Sequence, residues 1–348
     1  MNDRNDSHFG ENEDWRWHRQ NGLSRVINVS GTMTGLGASR AHPEVAAATA
    51  AAMGHFMRMH ELQARASATI AALTGAEAGC MTASASAGIS LCVAGCITGL
   101  DPARAEALPR NPGPKSEVVV QTGHLCGYGA PVSTAIELAG GTVRQIGQST
   151  LAMDHQLRGA LGPDTAAALY VVSHHVVHYG QIPFARFVEI CHAAGVPVIV
   201  DAASEYDLRG FIAQGADLAI YSAHKFLGGP TGGIIAGRRD LVRAAYLQNI
   251  GIGRGMKIGK ESIAGAIRAM ERWMARDHAG IRAEERAALK LWQDRLAGIH
   301  GITARIVPDP TANPLDRLQV EVDPTLAGTT AAAIARHLGN LDPAIIVR

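Results

Sequence analysis

The chain lacks the marks of several protein classes. Its net charge is +1, from 32 Lys and Arg against 31 Asp and Glu, so no excess of one sign points to nucleic acid or an anionic membrane as a partner. No apolar stretch runs unbroken for the ~20 residues of a membrane-crossing helix, because Gly, Thr and Ser interrupt the longest ones. No secretory signal opens the sequence. Its polar, charged start (NDRNDSHFGENEDWRW) is expected to be an arm over residues 1–24 that frays or packs on a neighbouring subunit. Cysteines number five: Cys80, Cys92, Cys96, Cys126 and Cys191. The odd count and apolar surroundings argue against a disulfide framework and for a reducing cytoplasm. Cys92 and Cys96 stand four apart with no second ligand pair nearby, so they read as small core residues rather than metal ligands. There is no internal repeat, and the Ala tracts are explained by helix propensity.

What remains is the composition of a soluble globular enzyme, 348 residues with 47% hydrophobic and 18% charged, long enough to bury a substantial core. From about Ala76, short apolar runs recur at Cys80–Ala83, Val118–Gln121, Val143–Ile146, Ala168–Ser173, Val196–Val200, Leu218–Tyr221 and Ile234–Ala236. Helical patterns at Ala87–Leu100, Pro131–Ala139 and Pro183–Ala194 separate several of them. Alternation of this kind predicts an α/β fold, a mainly parallel, seven-stranded, doubly wound sheet with ligands at its carboxyl ends. Glu44–Thr74 reads as one or two helices. Ser262–Ala297 reads as a long helix, followed by strands at Thr303–Val307 and Leu318–Val322, a helix near Thr329–Leu338 and a strand start at Ile345. The expected organisation is a large domain over 75–250 and a smaller α+β domain built from both chain ends, 25–74 and 251–348.

The chemistry centres on Lys225. It lies in YSAHKFLGGPTGG, just after the run Asp217–Ile220, while the β-branched run 197–200 ends in Asp201. Two buried-type strands, one closed by an acid and one leading into a lysine, suit pyridoxal 5'-phosphate. That cofactor needs a lysine amine for its Schiff base and a carboxylate that keeps its ring nitrogen protonated. Its phosphate needs clustered donors, ideally amides at a helix start, and the turn holding Ser84, Ala85 and Ser86 leads from a strand into a helix. Ser222, three residues before the lysine, adds a hydroxyl; Ser204 and His224 stand beside the proposed acid and base. His124, in a Gly-flanked loop after Val118–Gln121, is placed to stack on the ring. Ser173 and His175, at the end of the next strand, are placed to bond its phenolic oxygen. Adjacent His174 and His175 point to opposite faces of a strand and cannot readily chelate one metal. Arg254, Lys257 and Lys260 form a basic loop suited to an anionic substrate or cofactor.

Several segments together resemble selenocysteine synthase and its relatives, which include a branch of glucosaminate-phosphate ammonia-lyase-like enzymes. They are Ile27–Thr34 (INVSGTMT), Leu73–Glu77 (LTGAE), the Val200–Ala203 strand end, the Ser-x-x-Lys-x-x-x-Gly-Pro turn and Gly253–Glu261 (GRGMKIGKE). The resemblance spans about Arg25 to Arg348 and implies the aspartate-aminotransferase fold, fold type I of the pyridoxal-phosphate enzymes. It implies that Lys225 is the Schiff-base lysine, Asp201 the ring-nitrogen partner and the serines of the 84–86 turn phosphate ligands. Thr32 falls in the opening motif and joins the candidate substrate-binding residues. Arg348 stands where the family places an arginine that clamps an α-carboxylate, although Val347 replaces the usual glycine. His224 matches the histidine of the cysteine desulfurase group, where many lyase-like members carry a small residue.

The expected activity is lyase chemistry on a hydroxylated or otherwise activated amino acid, by a homodimer or a multiple of dimers with shared active sites. Aminotransferase, racemase or aldolase chemistry shares the first steps and is the alternative. Selenium transfer to seryl-tRNA is disfavoured by the near-zero charge and the lack of a basic RNA-binding extension. A cofactor-binding regulatory protein would carry a DNA-binding module, and none is visible.

Overall fold

The structure is a computed structural model that describes residues 15–348. Most of the expected N-terminal arm lies outside the described residues. The strands, in chain order, are β1 Val26–Asn28, β2 Ala78–Thr82, β3 Glu117–Gln121, β4 Thr142–Ile146, β5 Thr165–Val171, β6 Val198–Asp201, β7 Leu218–Ser222, β8 Gly233–Gly237, β9 Ile302–Pro308, β10 Asp316–Val322 and β11 Ala344–Ile346. The described residues divide into two units, a larger one of residues 39–283 and 308–315 and a smaller one of the other described residues.

The larger unit is built on a seven-stranded sheet in the order β2-β8-β7-β6-β5-β3-β4. All pairings are parallel except those of β8, which runs antiparallel to both β2 and β7. Its central strands are uninterrupted apolar runs because both faces are covered. Side chains alternate between the two faces with the period of a strand. Val119, Val198 and Val200 enter a core with Ile70, Leu157 and Phe187, while Val118, Val120 and Ile199 enter another with Ile89, Ile136 and Val242. The helix Ala85–Thr98 is buried along nearly its whole length, consistent with its lack of charge. Cys92 packs in the second core, and burial pushes its thiol well above the ordinary range.

Two stretches that the sequence suggests for the small domain fall in the larger unit. The helices Pro43–Met53, Met59–Thr74 and Lys260–Ala275 pack together there. Ile263, Ala266, Met270 and Trp273 join the same apolar core as Ala66 and Ile70, and Arg272 pairs with Glu44 at 2.9 Å. A helix with one wide apolar face goes where that face can be covered, whatever its distance along the chain. The long helical pattern from Ser262 to Ala297 is two helices, Lys260–Ala275 and His278–Leu296. Arg276 is extended, and Asp277 Oδ1 accepts from Gly280 N–H at 2.9 Å to start the second.

In the smaller unit β9 pairs with β10, and β1 pairs in parallel with β11 through Val26↔Ala344 and Asn28↔Ile346. The apolar run at the end of the sequence is thus a strand. Arg25 and Asp342 close the pair with a 2.7 Å ion pair.

Candidate active site

Strand register assembles the site. Asp201 pairs with Ile220 across β6 and β7, so the acid ends its strand where β7 is about to deliver the Lys225 turn. Gly233, the first residue of β8, faces both Thr82 of β2 and Ser222 of β7. The carboxyl ends of β2, β6 and β7 therefore open on one edge of the sheet, where parallel α/β sheets hold ligands.

At the β2 end, Ser84 caps the helix Ala85–Thr98, its Oγ accepting from Ala87 N–H at 3.1 Å. Ala85 and Ser86 sit in the first turn of this helix, whose amides and dipole suit an anion. Ser86 Oγ and Tyr128 Oη lie 3.0 Å apart. The Met256 carbonyl accepts from Ala83 N–H at 3.1 Å and from Thr82 Oγ1 at 2.9 Å. That pins the segment carrying exposed Arg254 and Lys257 to the same turn. Lys260 is turned elsewhere and bonds the main chain of Met53. The backbone of Ser84 passes so close to Gly233 that a Cβ there would lie 2.1 Å from the Ser84 carbonyl oxygen.

At the β6 and β7 ends, Lys225 Nζ donates to Ser204 Oγ at 2.5 Å. Burial lowers the proton affinity of the amine, against the opposing pull of Asp201 and Glu205. Asp201 is 8% exposed. Burial pushes its carboxyl up to about 6, with Lys225 and the Ala203 N–H, 3.3 Å from Oδ1, pulling it back down. Ser222 is buried and its N–H donates to the Ala203 carbonyl at 3.1 Å, tying the two strand ends together. His224 is half-buried, burial and Lys225 both disfavour its protonation, and its carbonyl accepts from Ser39 Oγ at 2.6 Å.

His124 is buried beside β5. Its Nδ1 accepts from Val171 N–H at 3.3 Å, and its ring meets Tyr170 edge-on with centroids 4.4 Å apart. Burial, helped by His178, lowers its pKa to about 4, so the imidazole is neutral with its hydrogen on Nε2. Ser173 and His175 follow β5 in an exposed loop, where Ser173 Oγ accepts from His175 N–H at 3.2 Å. Thr32 and Arg348 belong to the smaller unit, not to the one that holds Lys225. Among the described residues no group of three or more His, Cys, Asp or Glu could hold a metal.

Three residues of the site had no sequence signal. Tyr128 stands in a Gly-flanked loop; burial raises its pKa, with a further push from nearby Asp201. Cys126 also lies within the field of Asp201, and burial pushes its thiol up to about 11. Glu205 follows Ser204 and is 3% exposed. Only folding shows which residues near Asp201 turn inward.

The groups present fit pyridoxal phosphate. An amine with lowered proton affinity is the form that attacks a carbonyl. A carboxyl buried at a strand end is costly unless it meets a cation such as a protonated ring nitrogen. A capped helix start answers the phosphate.

Comparison with known proteins agrees with this reading. The chain is 40% identical over 331 residues to D-glucosaminate-6-phosphate ammonia lyase of Salmonella typhimurium (strain 14028s / SGSC 2262), covering 95% of this chain and 89% of that protein. It is 37% identical to a 5'-C-glycyluridine monooxygenase-decarboxylase of a Streptomyces species, over 94% of this chain and 82% of the other. A solved structure of D-glucosaminate-6-phosphate ammonia-lyase superposes with a TM-score of 0.87 at 40% identity, covering 95% of this chain and 89% of that one. A putative L-allo-threonine aldolase from Listeria monocytogenes EGD-E, 16% identical with a TM-score of 0.56 over 89% of this chain and 84% of that one, shares the fold. Residues 26–336 match the family described as SelA: L-seryl-tRNA selenium transferase, and the chain is a pyridoxal 5'-phosphate enzyme that belongs to this family.

Proposed function

We propose that the protein is a lyase that removes a substituent from a hydroxylated amino acid and releases ammonia, with Lys225 and Asp201 as its working pair. The carrying observation is the register that brings these two residues to neighbouring strand ends, on a chain 40% identical over 95% of its length to an ammonia lyase. Pyridoxal phosphate supplies an electron sink for the bond broken at Cα. Lys225 anchors the cofactor covalently and afterwards moves the Cα proton. Its lowered proton affinity favours the unprotonated amine, the form that can accept a proton. Asp201 holds a proton on the cofactor's ring nitrogen. Ser84, Ala85, Ser86 and Ser222 hold the phosphate; His124 lines the ring, with Ser173, His175, Ser204 and His224 around it. Arg254 and Lys257, fastened to the phosphate turn by Met256, offer charge to an anionic substrate.

A decarboxylase acting on a larger amino acid is the second reading, favoured by the 37% identity to the glycyluridine enzyme. We assign the protein to the cytoplasm, in keeping with its five free cysteines and the absence, among described residues, of a helix long and apolar enough to cross a membrane. We assign it a homodimeric or higher state. The exposed apolar side chains of Met53, Phe56, Met57 and Met59, on one loop and its flanks, suit burial against another copy.

The test is incubation of the holoenzyme with D-glucosaminate 6-phosphate and a panel of hydroxy amino acids. Free ammonia with an equal amount of keto acid is the expected result. Amino transfer to an added keto acid, epimer formation, or aldehyde with glycine would each replace the lyase reading; carbon dioxide would select the second.

A further inference from the structure

Directly after Ser204, which accepts the Lys225 hydrogen bond, comes a carboxyl that the reaction above does not use. Glu205 is 3% exposed, and its N–H donates to the Ala202 carbonyl at 3.0 Å, so the chain after Asp201 turns back on itself. The segment Pro308–Leu315, which counts with the larger unit, brings a second buried carboxyl, Asp309, 4% exposed. Asp309 Oδ1 accepts from Thr311 N–H at 3.0 Å, Thr311 Oγ1 at 2.8 Å and Asn313 Nδ2 at 3.3 Å. Asn313 Oδ1 accepts from Tyr206 N–H at 2.7 Å, next in sequence to Glu205. Glu205 itself hydrogen-bonds the side chains of Thr311 and Asn313. Thr311 and Asn313 thus serve both buried carboxyls, and Asp309 disfavours charge on Glu205.

We propose that Glu205 is a positioning residue for Lys225, sharing Ser204 as its neighbour and held in place by Asp309, Thr311 and Asn313, and that its charge sets how firmly the nitrogen of Lys225 keeps its proton. The groups that face this pair are Asp309 and Tyr221 beside Glu205, and Asp201 and His224 beside Lys225. Burial, with Asp309 adding to it, pushes Glu205 up to about 7, while Lys225 pulls it down. Glu205 therefore changes charge near neutral pH. When ionised it stabilises the protonated form at residue 225; when protonated it withdraws that support.

The inference rests on Lys225 being the cofactor lysine, so each holoenzyme is first reduced with borohydride and its peptides mapped. Cofactor fixed at another lysine overturns the functional reading, and this inference with it. With the cofactor at Lys225, the measurement is the pH midpoint of the bound cofactor's visible absorbance, in wild type, Glu205→Gln and Asp309→Asn. Glu205→Gln removes a negative charge and should lower the midpoint by roughly 0.5–1 unit. Asp309→Asn removes a charge that adds to burial in keeping Glu205 protonated, so Glu205 ionises more readily and the midpoint should rise. A merely structural role would move both variants the same way. Shifts of equal sign, or none, overturn the proposal. Should Glu205→Gln fail to fold, Asp309→Asn decides alone: a rise supports the proposal, and a fall or no change overturns it.

Discussion

Lys225 Nζ donates to Ser204 Oγ across 2.5 Å, from a position where burial already lowers its proton affinity. Replacing Lys225 with Ala should abolish turnover, and borohydride should no longer fix the cofactor to the chain. Ser204→Ala should keep the attachment but slow turnover by roughly tenfold or more, the scale of one hydrogen bond to a charged group. Covalent fixation persisting in Lys225→Ala would move the assignment to another lysine.

Asp201 ends a fully buried strand, and Asp201→Ala should leave the fold intact while reducing turnover by roughly 10²–10⁴-fold. The magnitude follows from breaking a buried ion pair, about 3–5 kcal/mol. Rates near those of wild type would remove Asp201 from the ring nitrogen.

His124 carries a pH prediction. Its folded pKa, about 4, lies below the ordinary histidine value of 6.5. The folded chain therefore resists a proton that the unfolded chain accepts. The resulting stability is present above pH 6.5 and is lost as the pH falls toward about 4. In His124→Phe the fall in Tm over that window should be shallower. At neutral pH this variant should be less stable by ~1–3 kcal/mol, because the buried Val171 N–H loses its acceptor. Parallel Tm-against-pH curves for the two proteins would show that His124 contributes nothing to the acid limb. If the ring also lies on the cofactor, Phe should retain the cofactor while Ala weakens its retention by roughly 1–2 kcal/mol. Equal cofactor dissociation rates for the two variants would rule that contact out.

Gly233→Ala places a methyl group 2.1 Å from the Ser84 carbonyl oxygen, so either β8 or the turn at 84–86 must move. The variant should lose about 1–3 kcal/mol, a drop of several degrees in Tm, and bind the cofactor at least tenfold less tightly. Unchanged affinity would show that the turn at 84–86 does not hold the phosphate.

Much of the sheet was readable in one dimension. Val118–Gln121, Val196–Val200 and Leu218–Tyr221 are β-branched or apolar runs too short for helices and bounded by turns, and each became a strand within two residues of its expected ends. The prominence of Lys225 and Asp201 was readable for the same local reason: a charged residue that closes a buried run is costly and stands out. The division of the chain was not readable in this way. The helices Pro43–Met53 and Lys260–Ala275 look, by position, like parts of a terminal domain, yet both fall in the larger unit, where Ile263, Ala266, Met270 and Trp273 of the second join its core.

Sequence alone therefore determined the alternation of strands and helices and the seven-stranded sheet, and it singled out Lys225 and Asp201 as candidates. Those depend on the polarity of successive residues, a property each segment carries by itself. Only the tertiary structure decided that Met256 would hold the turn at Thr82 and Ala83, that His124 would bond Val171 and that Asp309 would meet Glu205. Such contacts join residues tens to hundreds of positions apart. Their partners are chosen by strand register and by which faces the core covers, and no local pattern records that choice.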